Sequence, residues 1–356
     1  MAHDIYPVVV IFGVSLLVAI LLYRPILSVS RKLNIYDNPE ARKLQKVPVP
    51  VMGGFVGFTG TIAGSLCLGA IYDYKTIIPL IVAMLIMLAA GAWDDIRNLS
   101  PYTKFIIEII VVLSLAYVNE SPLNDFHGLW GVHEISPWIA WPLTVVACVG
   151  IINAINMADG IDGLSSGFCI MIFTFFSWQL FRSHDFVRAA FGLTIVGSLI
   201  PFFIMNVFSR KAKMFIGDAG TMMLGIAICD FVMAILTKDS PSALFFDKKD
   251  VCLIAFVLAV LGIPVFDTLR VMFGRIMHGC SPFRPDKTHL HHAFLDYGFH
   301  HLEITLMEIL LNMLIIFFWM ALDSSHFSIE WQLYGVIAAN IACTFGLYWI
   351  LLHLKK

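Results

Sequence analysis

The sequence predicts an all-α integral membrane protein, a polytopic bundle of about eleven transmembrane helices with its polar loops gathered on one face. Three observations carry this. Hydrophobic residues fill 59% of the 356 positions and charged residues only 13%, against about 25% charged in a soluble domain, and mean hydropathy is +0.84. Apolar runs long enough to cross hydrocarbon recur along the whole chain. The basic residues are spread unevenly over alternate linkers, as the positive-inside rule requires of a polytopic protein.

The runs place helices at residues 5–27, 51–71, 76–93, 104–118, 137–155, 165–181, 187–208, 219–237, 249–273, 303–322 and 331–353. The first has no basic segment before it and no small-residue cleavage site after it, so it reads as a retained span. The second follows a basic, Pro-rich linker, 37–50, and opens on Gly53-Gly54. The third ends on Asp94-Asp95 and the fourth opens at Lys104. The fifth runs into Asn153 and Asn156, and the sixth opens after Gly163. Arg210, Lys211 and Lys213 follow the seventh, and the eighth begins at Gly217-Asp218. The ninth carries Pro264 and Asp267, and a long polar segment, 274–301, separates it from the last two. Residues 119–136, with several Gly, Pro and His, predict a small hairpin. No fixed-period repeat or low-complexity tract interrupts the order, so residues 1–356 read as a single polytopic domain. Seven scattered cysteines without a C-x-x-C pair read as packing residues.

Assigning the linkers alternately to two sides puts 17 of the 23 Lys and Arg residues on one side. That side is expected to be cytoplasmic, with the N-terminus outside and the C-terminus inside. Nearly every unusual polar cluster falls on it.

Asn153-x-x-Asn156-x-x-Asp159-Gly160-x-Asp162-Gly163-Leu164 is the most informative of these clusters. Carboxylates set where membrane-spanning sequence is interrupted are expensive unless they handle an ion, a proton or a substrate, and the glycines let backbone approach a ligand. The adjacent carboxylates of Asp94 and Asp95 repel unless a cation or a proton compensates them, although a solvated helix end is the simpler explanation of such a pair in isolation. Lys104 can snorkel to the headgroups or meet a phosphate. Phe215-Ile216-Gly217-Asp218-Ala219-Gly220 resembles the Gly-x-Gly-Asp element of intramembrane aspartyl proteases, with Phe215 in place of the first Gly. It also suits a carboxylate on a turn that holds a divalent metal and a phosphate, or an Asp218 N-cap. Pro285-Asp286-Lys287-Thr288-His289-Leu290-His291-His292 is too poor in further ligands for zinc. Beside Arg275, Arg284 and Lys287 it suits phosphate anchoring, or a basic loop on anionic headgroups. Asp267 lies three residues before Arg270 and Glu108 four after Lys104, so local ion pairs account for both. Asp230 has no evident partner in the sequence.

The order of these clusters resembles the polyprenyl-phosphate N-acetylhexosamine-1-phosphate transferase family. The resemblance runs from about Leu33 to His292. It rests on Asp37-x-Pro39-x-x-Arg42-Lys43 with the later Gly-Gly, Asp94-Asp95-x-x-x-Leu99 with Lys104, the Asn153 to Leu164 motif, Phe215-x-Gly-Asp-x-Gly, Pro264-x-x-Asp267-Thr268 and the His289 to His292 motif. The form from Ser281-Pro282-Phe283 to His292 is similar to the branch that initiates O-antigen, enterobacterial common antigen, teichoic acid or capsular glycans. The phospho-MurNAc-pentapeptide branch carries His-His-His-x-Glu, which is missing here. Gln45 departs from the His usual after Arg-Lys and suggests a positional role for that loop.

The resemblance implies an enzyme of the inner, cytoplasmic membrane that moves a sugar-1-phosphate from a UDP-N-acetylhexosamine to undecaprenyl phosphate and releases UMP. GlcNAc is the first expectation; GalNAc, deoxy-amino sugars and the pentapeptide donor are the alternatives. Two anions must be brought together, so a cation and several donors are needed. Magnesium is implied, with manganese as a substitute, on Asp218 and Asn156. Asp94 is implied as the base on the lipid phosphate, or as the nucleophile of a covalent route, and Asp95 as its electrostatic or metal-linked partner. His289 and His291 join them as catalytic candidates. Substrate binding falls to Lys104, Asn153, Asp159, Asp162, Phe215, Arg275, Lys287 and His292, with Asp162 and Phe215 on the uracil. A lipid bilayer is the setting, a homodimer is admitted, and no nucleic acid is expected. From other classes, a secondary transporter would show two related halves, and an intramembrane aspartyl protease would need a second intact Asp motif.

Overall fold

The computed structural model describes residues 2–38, 47–69, 75–246, 249–282 and 286–354, with side chains from residue 8. Helix α1 (Ala2–Lys32) leads into a short antiparallel pair, β1 (Tyr36–Asp37) and β2 (Val49–Pro50), in the register Tyr36 to Pro50 and Asp37 to Val49. Arg42, Lys43 and Gln45 of the basic linker lie outside the described residues, as do Pro39, Phe283, Arg284 and Pro285. Helices α2 (Gly53–Gly69), α3 (Ile78–Arg97), α4 (Pro101–Val118), α5 (Pro137–Met157), α6 (Leu164–Arg182), α7 (Phe186–Phe208) and α8 (Gly217–Leu236) follow. Short α9 (Pro241–Phe246) precedes α10 (Leu253–Val260) and α11 (Gly262–Met277). After α12 (Leu290–Asp296) come α13 (His301–Ser324) and α14 (Ile329–Ile341), which runs through a π-helical turn, Ala342–Gly346, into α15 (Leu347–Leu354).

Local chemistry fixes several ends. Asn98 takes the left-handed conformation (φ 51°) that closes α3, a geometry Asn tolerates better than most residues. Ser100 caps α4 by accepting from the Thr103 N–H, with Pro101 at the first helical position. Glu303 accepts from the His300 N–H at 2.8 Å to open α13. The hairpin expected in 119–136 is present, with an Asp125–Glu134 bridge and Phe126 N donating to His133 O at 3.0 Å.

Among the described residues nine helices are long and apolar enough to cross a membrane, and a tenth candidate is the pair α10–α11, bent by 78°. At 17 residues α2 is shorter than those nine. The expected spans overlap these helices, but the count of about eleven membrane-crossing helices is not reached among the described residues, and the ninth expected span, 249–273, is broken in two. Its break at Leu261 leaves backbone groups that hydrocarbon cannot satisfy, and two asparagines supply the bonds. Asn312 accepts from Ile263 N (2.7 Å) and donates to Ala259 O and Val260 O (both 3.1 Å), and Asn340 donates to Leu258 O (3.3 Å).

Helix α8 is the axis of the bundle: 94% of its apolar window is buried inside the protein, against 22% for α1 and for α14–α15. It packs on α3, α5 and α2, while α1, α2, α6 and α7 form a second layer. Gly54 lets α2 reach the start of α8, because a Cβ there would stand 2.5 Å from the Gly220 nitrogen. The polar clusters of the next section, that of Asp230 apart, sit at one end of this packing.

Candidate active site

Asp94 and Asp95 occupy the last turn of α3, Lys104 the first turn of α4, and Asp218 the first turn of α8. Because α3 packs along α8, these ends meet. The Lys104 ammonium bridges Asp218 Oδ2 at 2.5 Å and Asp94 Oδ2. Asp94 Oδ1 also accepts from Leu99 N at 2.5 Å, which ties the carboxylate to the loop behind the helix. Asn156, at the end of α5, donates to Asp218 Oδ1 (2.9 Å) and to Thr221 Oγ1 (2.8 Å). The side chains of Lys104 and Asp218 remain 23% and 30% exposed, so this charge cluster is reachable from outside.

Asp95 has a different task from its neighbour. Its carboxylate accepts from Asp218 N at 2.9 Å and Ala219 N at 3.2 Å. Those are orphan donors at the start of α8, so Asp95 caps a helix on which it does not lie. Asp218 itself is not the N-cap: that position is Ile216, which makes no side-chain cap. Gly217 turns the chain there at φ 73°, a conformation open to glycine. Both oxygens of Asp95 face backbone N–H groups, a geometry that suits a positional role.

The loop after α5 carries the other two carboxylates. Asp159 Oδ1 accepts from Ser165 Oγ at 2.6 Å, and burial pushes its carboxyl pKa well above the ordinary range, with Ser165 opposing and the Asp218, Asp95 and Asp162 charges adding. This bond ties Asp159 to the first turn of α6. Asp162 Oδ2 meets Lys213 Nζ at 2.6 Å and His301 Nδ1 at 2.9 Å. Burial alone would raise its pKa, but His301 and Lys213 outweigh that and hold it below the usual carboxylate value. The Lys213 ammonium also lies 5.5 Å from the centre of the half-buried Phe215 ring. Asp162 and Phe215 are thus brought together, through a lysine.

The His motif opens α12. Asp267, on α11, accepts from His289 Nδ1 (2.8 Å), from Leu290 N (3.2 Å) and from Arg270 (2.7 Å), and Arg270 donates on to Thr288 O (2.5 Å). The local Asp267–Arg270 pair is present, yet it is half of a device that orients His289. The rings of His289 and His291 stack with centroids 5.5 Å apart and planes 7° apart, and His292 follows at 4.5 Å. His291 rests on the Asn153–Leu164 motif, since a Cβ on Gly160 would stand 3.1 Å from His291 Nε2. Burial, then His292 and His289, hold the His291 pKa well below the ordinary imidazole value; His292 is lowered by burial, His289 and Lys287.

Further expectations change, and Asp230 gains a partner. Arg275 is buried and donates to Asp286 Oδ2 (2.7 Å) and Pro282 O (2.5 Å), so it clamps its own loop; Asp286, raised by burial but lowered more by Arg275 and Thr288, stays ionised. Asn153 donates to Glu108 Oε2 at 2.7 Å, which gives Glu108 an amide partner where an ion pair with Lys104 was expected and turns Asn153 toward the protein. Asp230 accepts from Asn119 Nδ2 (2.9 Å) and lies 3.4 Å from Arg188 Nε, on α8 three helical turns from Asp218, so it belongs to the far end of the bundle. Lys287 is exposed.

Sequence reasoning missed Lys213, His301, Ser165 and the orienting role of Asp267. Their partners lie 6 to 139 residues away. Only the place of Asp267 just upstream of a His-rich segment offered a signal. No group of three or more His, Cys, Asp or Glu poised for a metal occurs among the described residues. Two carboxylates converging on one cationic position, with an amide beside them, do fit magnesium, which is held by one or two carboxylates together with substrate phosphates.

Residues 77–237 match the family described as Glycosyl transferase family 4. The chain is 31% identical over 296 residues to the probable undecaprenyl-phosphate N-acetylglucosaminyl 1-phosphate transferase of Bacillus subtilis (strain 168), covering 83% of this chain and 79% of that one. It is 29% identical to the decaprenyl-phosphate N-acetylglucosaminephosphotransferase of Mycobacterium leprae (78% and 74% covered). It is 26% identical to the undecaprenyl-phosphate alpha-N-acetylglucosaminyl 1-phosphate transferase of Escherichia coli (strain K12), with 85% and 80% covered.

Proposed function

Given that this chain belongs to the polyprenyl-phosphate N-acetylglucosaminyl-1-phosphate transferases of glycosyl transferase family 4, we propose that it transfers GlcNAc-1-phosphate from UDP-GlcNAc to undecaprenyl phosphate. A phosphate oxygen of the lipid attacks the sugar-bearing phosphorus, the bond from that phosphorus to the bridging oxygen breaks, and UMP leaves. The observation that carries the reading is the meeting of Asp94 and Asp218, from separate helices, on the one ammonium of Lys104 beside Asn156.

Magnesium, with manganese as a substitute, would be held by Asp218 and Asn156 and supplies charge neutralisation at the pyrophosphate when bound. Asp94 takes the proton of the lipid phosphate or, in a covalent route, attacks phosphorus. Asp95 keeps Asp218 in place. Lys104, His289 and His291 donate to phosphate oxygens. His291 does so as a neutral imidazole, in line with its depressed pKa. Lys213, Asp162 and Phe215 form the nucleotide end, and Lys287 and His292 the outer rim of the donor site.

The multi-pass bundle is set in the cytoplasmic membrane, with its motif loops and C-terminus inside and its N-terminus outside, as the Lys/Arg bias supports. Its lipid-facing helices leave room for a homodimer. A donor panel tests the sugar. UDP-GlcNAc should be turned over, UDP-GalNAc and deoxy-amino analogues more slowly, and UDP-MurNAc-pentapeptide not at all. Efficient use of the pentapeptide donor would move the chain to another branch of the family.

A further inference from the structure

A cavity of about 10 Å³ lies beneath the His289–His291 pair, between α5, α11 and α13. That is close to the room one water molecule takes. Its polar lining is Asp267, Thr268, His289, His291 and Glu308; Phe168 and Ile263 close it with apolar surface. Glu308, on the membrane-embedded part of α13, is 3% exposed, and its Oε1 has no hydrogen-bond partner among the described residues. An uncompensated carboxyl at that depth is unfavourable, and such a residue is by default a functional candidate.

The two histidines differ in how they are held. Asp267 accepts from His289 Nδ1 and is itself paired with Arg270, so the first ring has its orienting carboxylate. No carboxylate among the described residues forms an ion pair with His291. His291 turns Nε2 toward Gly160 and the motif loop, which leaves Nδ1 as the nitrogen for an orienting contact, and the ring borders the same cavity as Glu308. Asp267, with Arg270 behind it, and His289 are the other charged or titratable groups facing this space.

We propose that Glu308 is the positioning residue of His291: one water in the cavity gives an O–H to the Glu308 carboxylate and the other to His291 Nδ1, so the imidazole carries its single proton on Nε2. His291 then donates Nε2–H toward the substrate phosphate across the Gly160 loop. The arrangement rests on the transferase reading of the site. It parallels the rule that a histidine's tautomer is set by the hydrogen bond at its other nitrogen.

Nitrogen-15 spectra of histidine-labelled protein in detergent, with the His291 signals assigned through His291→Gln, read the tautomer directly. The wild type should show the Nε2–H form, and Glu308→Leu a mixture. The Leu variant should also lose about tenfold in kcat for UMP release, on the scale of removing an orienting partner, with the KM for UDP-GlcNAc unchanged. Glu308→Gln keeps an acceptor oxygen for the water and should retain most of kcat. An Nδ1–H tautomer in the wild type, or wild-type kcat in Glu308→Leu, overturns the proposal; if the Leu variant does not fold, the wild-type spectrum decides alone. A wild type that releases no UMP would refute the transferase reading instead and leave the spectral result standing.

Discussion

Replacing Asp95 by alanine separates a residue that builds the site from one that reacts in it. Asp95 accepts two backbone donors at the start of α8, from Asp218 N at 2.9 Å and Ala219 N at 3.2 Å. Loss of a helix cap costs about 0.5–2 kcal/mol, and loss of a negative charge at a helix N-terminus about 0.3–1 kcal/mol more. Asp95→Ala should therefore destabilise the protein by roughly 1–3 kcal/mol, the combined range of those two effects. Asp218 is the residue whose own N–H is released, and a displacement of about 1 Å in a reacting group lowers turnover about a hundredfold. Asp95→Asn keeps an acceptor oxygen and should lose the charge–dipole part alone, so it should fall between wild type and Ala in both properties. Thermal unfolding in detergent and UMP release per folded molecule measure the two effects. An Asn variant as inactive as Ala, with wild-type unfolding, would mean that the carboxylate takes part in the chemistry directly and that the capping argument is wrong.

Asp218→Asn should lower activity at least about a hundredfold, the scale of losing a transition-state charge contact; near-normal turnover with unchanged magnesium dependence would remove Asp218 from the metal. His291 gives a pH signature. Its folded pKa is depressed, so between about 6.5, the free imidazole value, and the folded pKa the unfolded chain binds a proton that the fold excludes. Stability should thus be full above about pH 6.5 and decline as pH falls below it. His291→Gln should flatten that part of the curve, and an unchanged slope would contradict the assignment. A fluorescent reporter fused after Lys356 should fluoresce in the cytoplasm and a tag at Met1 should be accessible from outside; the opposite pattern would invert the proposed topology.

Much of the site was legible because its chemistry is written in short motifs at helix ends. Asp94, Lys104, Asn156 and Asp218 each stand where an apolar run stops or starts, and the bundle brings those ends together. The division of labour between Asp94 and Asp95 was not legible, since adjacent residues in a last helical turn point in different directions and only the neighbouring helix decides what each meets. Asp267 was accounted for by Arg270 three residues on; the pair exists, but the second lone-pair direction of the carboxylate, which serves His289, depends on a segment 22 residues away. Lys213 and His301 converge on Asp162 over 51 and 139 residues, separations for which no local pattern gives a sign. The bend of α10–α11 lay behind a continuous apolar run, and Asn312 and Asn340, which make it tolerable, reach it from 49 and 82 residues further along the chain.

The central claim is that a lipid phosphate and a UDP-sugar react at one cation-dependent site. The most direct measurement is UMP release by the purified protein from UDP-GlcNAc, with and without undecaprenyl phosphate, in magnesium and in excess chelator. Continuous turnover that requires the lipid and the metal together, abolished in Asp218→Asn, is the predicted result. Repeated turnover without the lipid, beyond one UMP per protein, or turnover undiminished in chelator, would contradict the account.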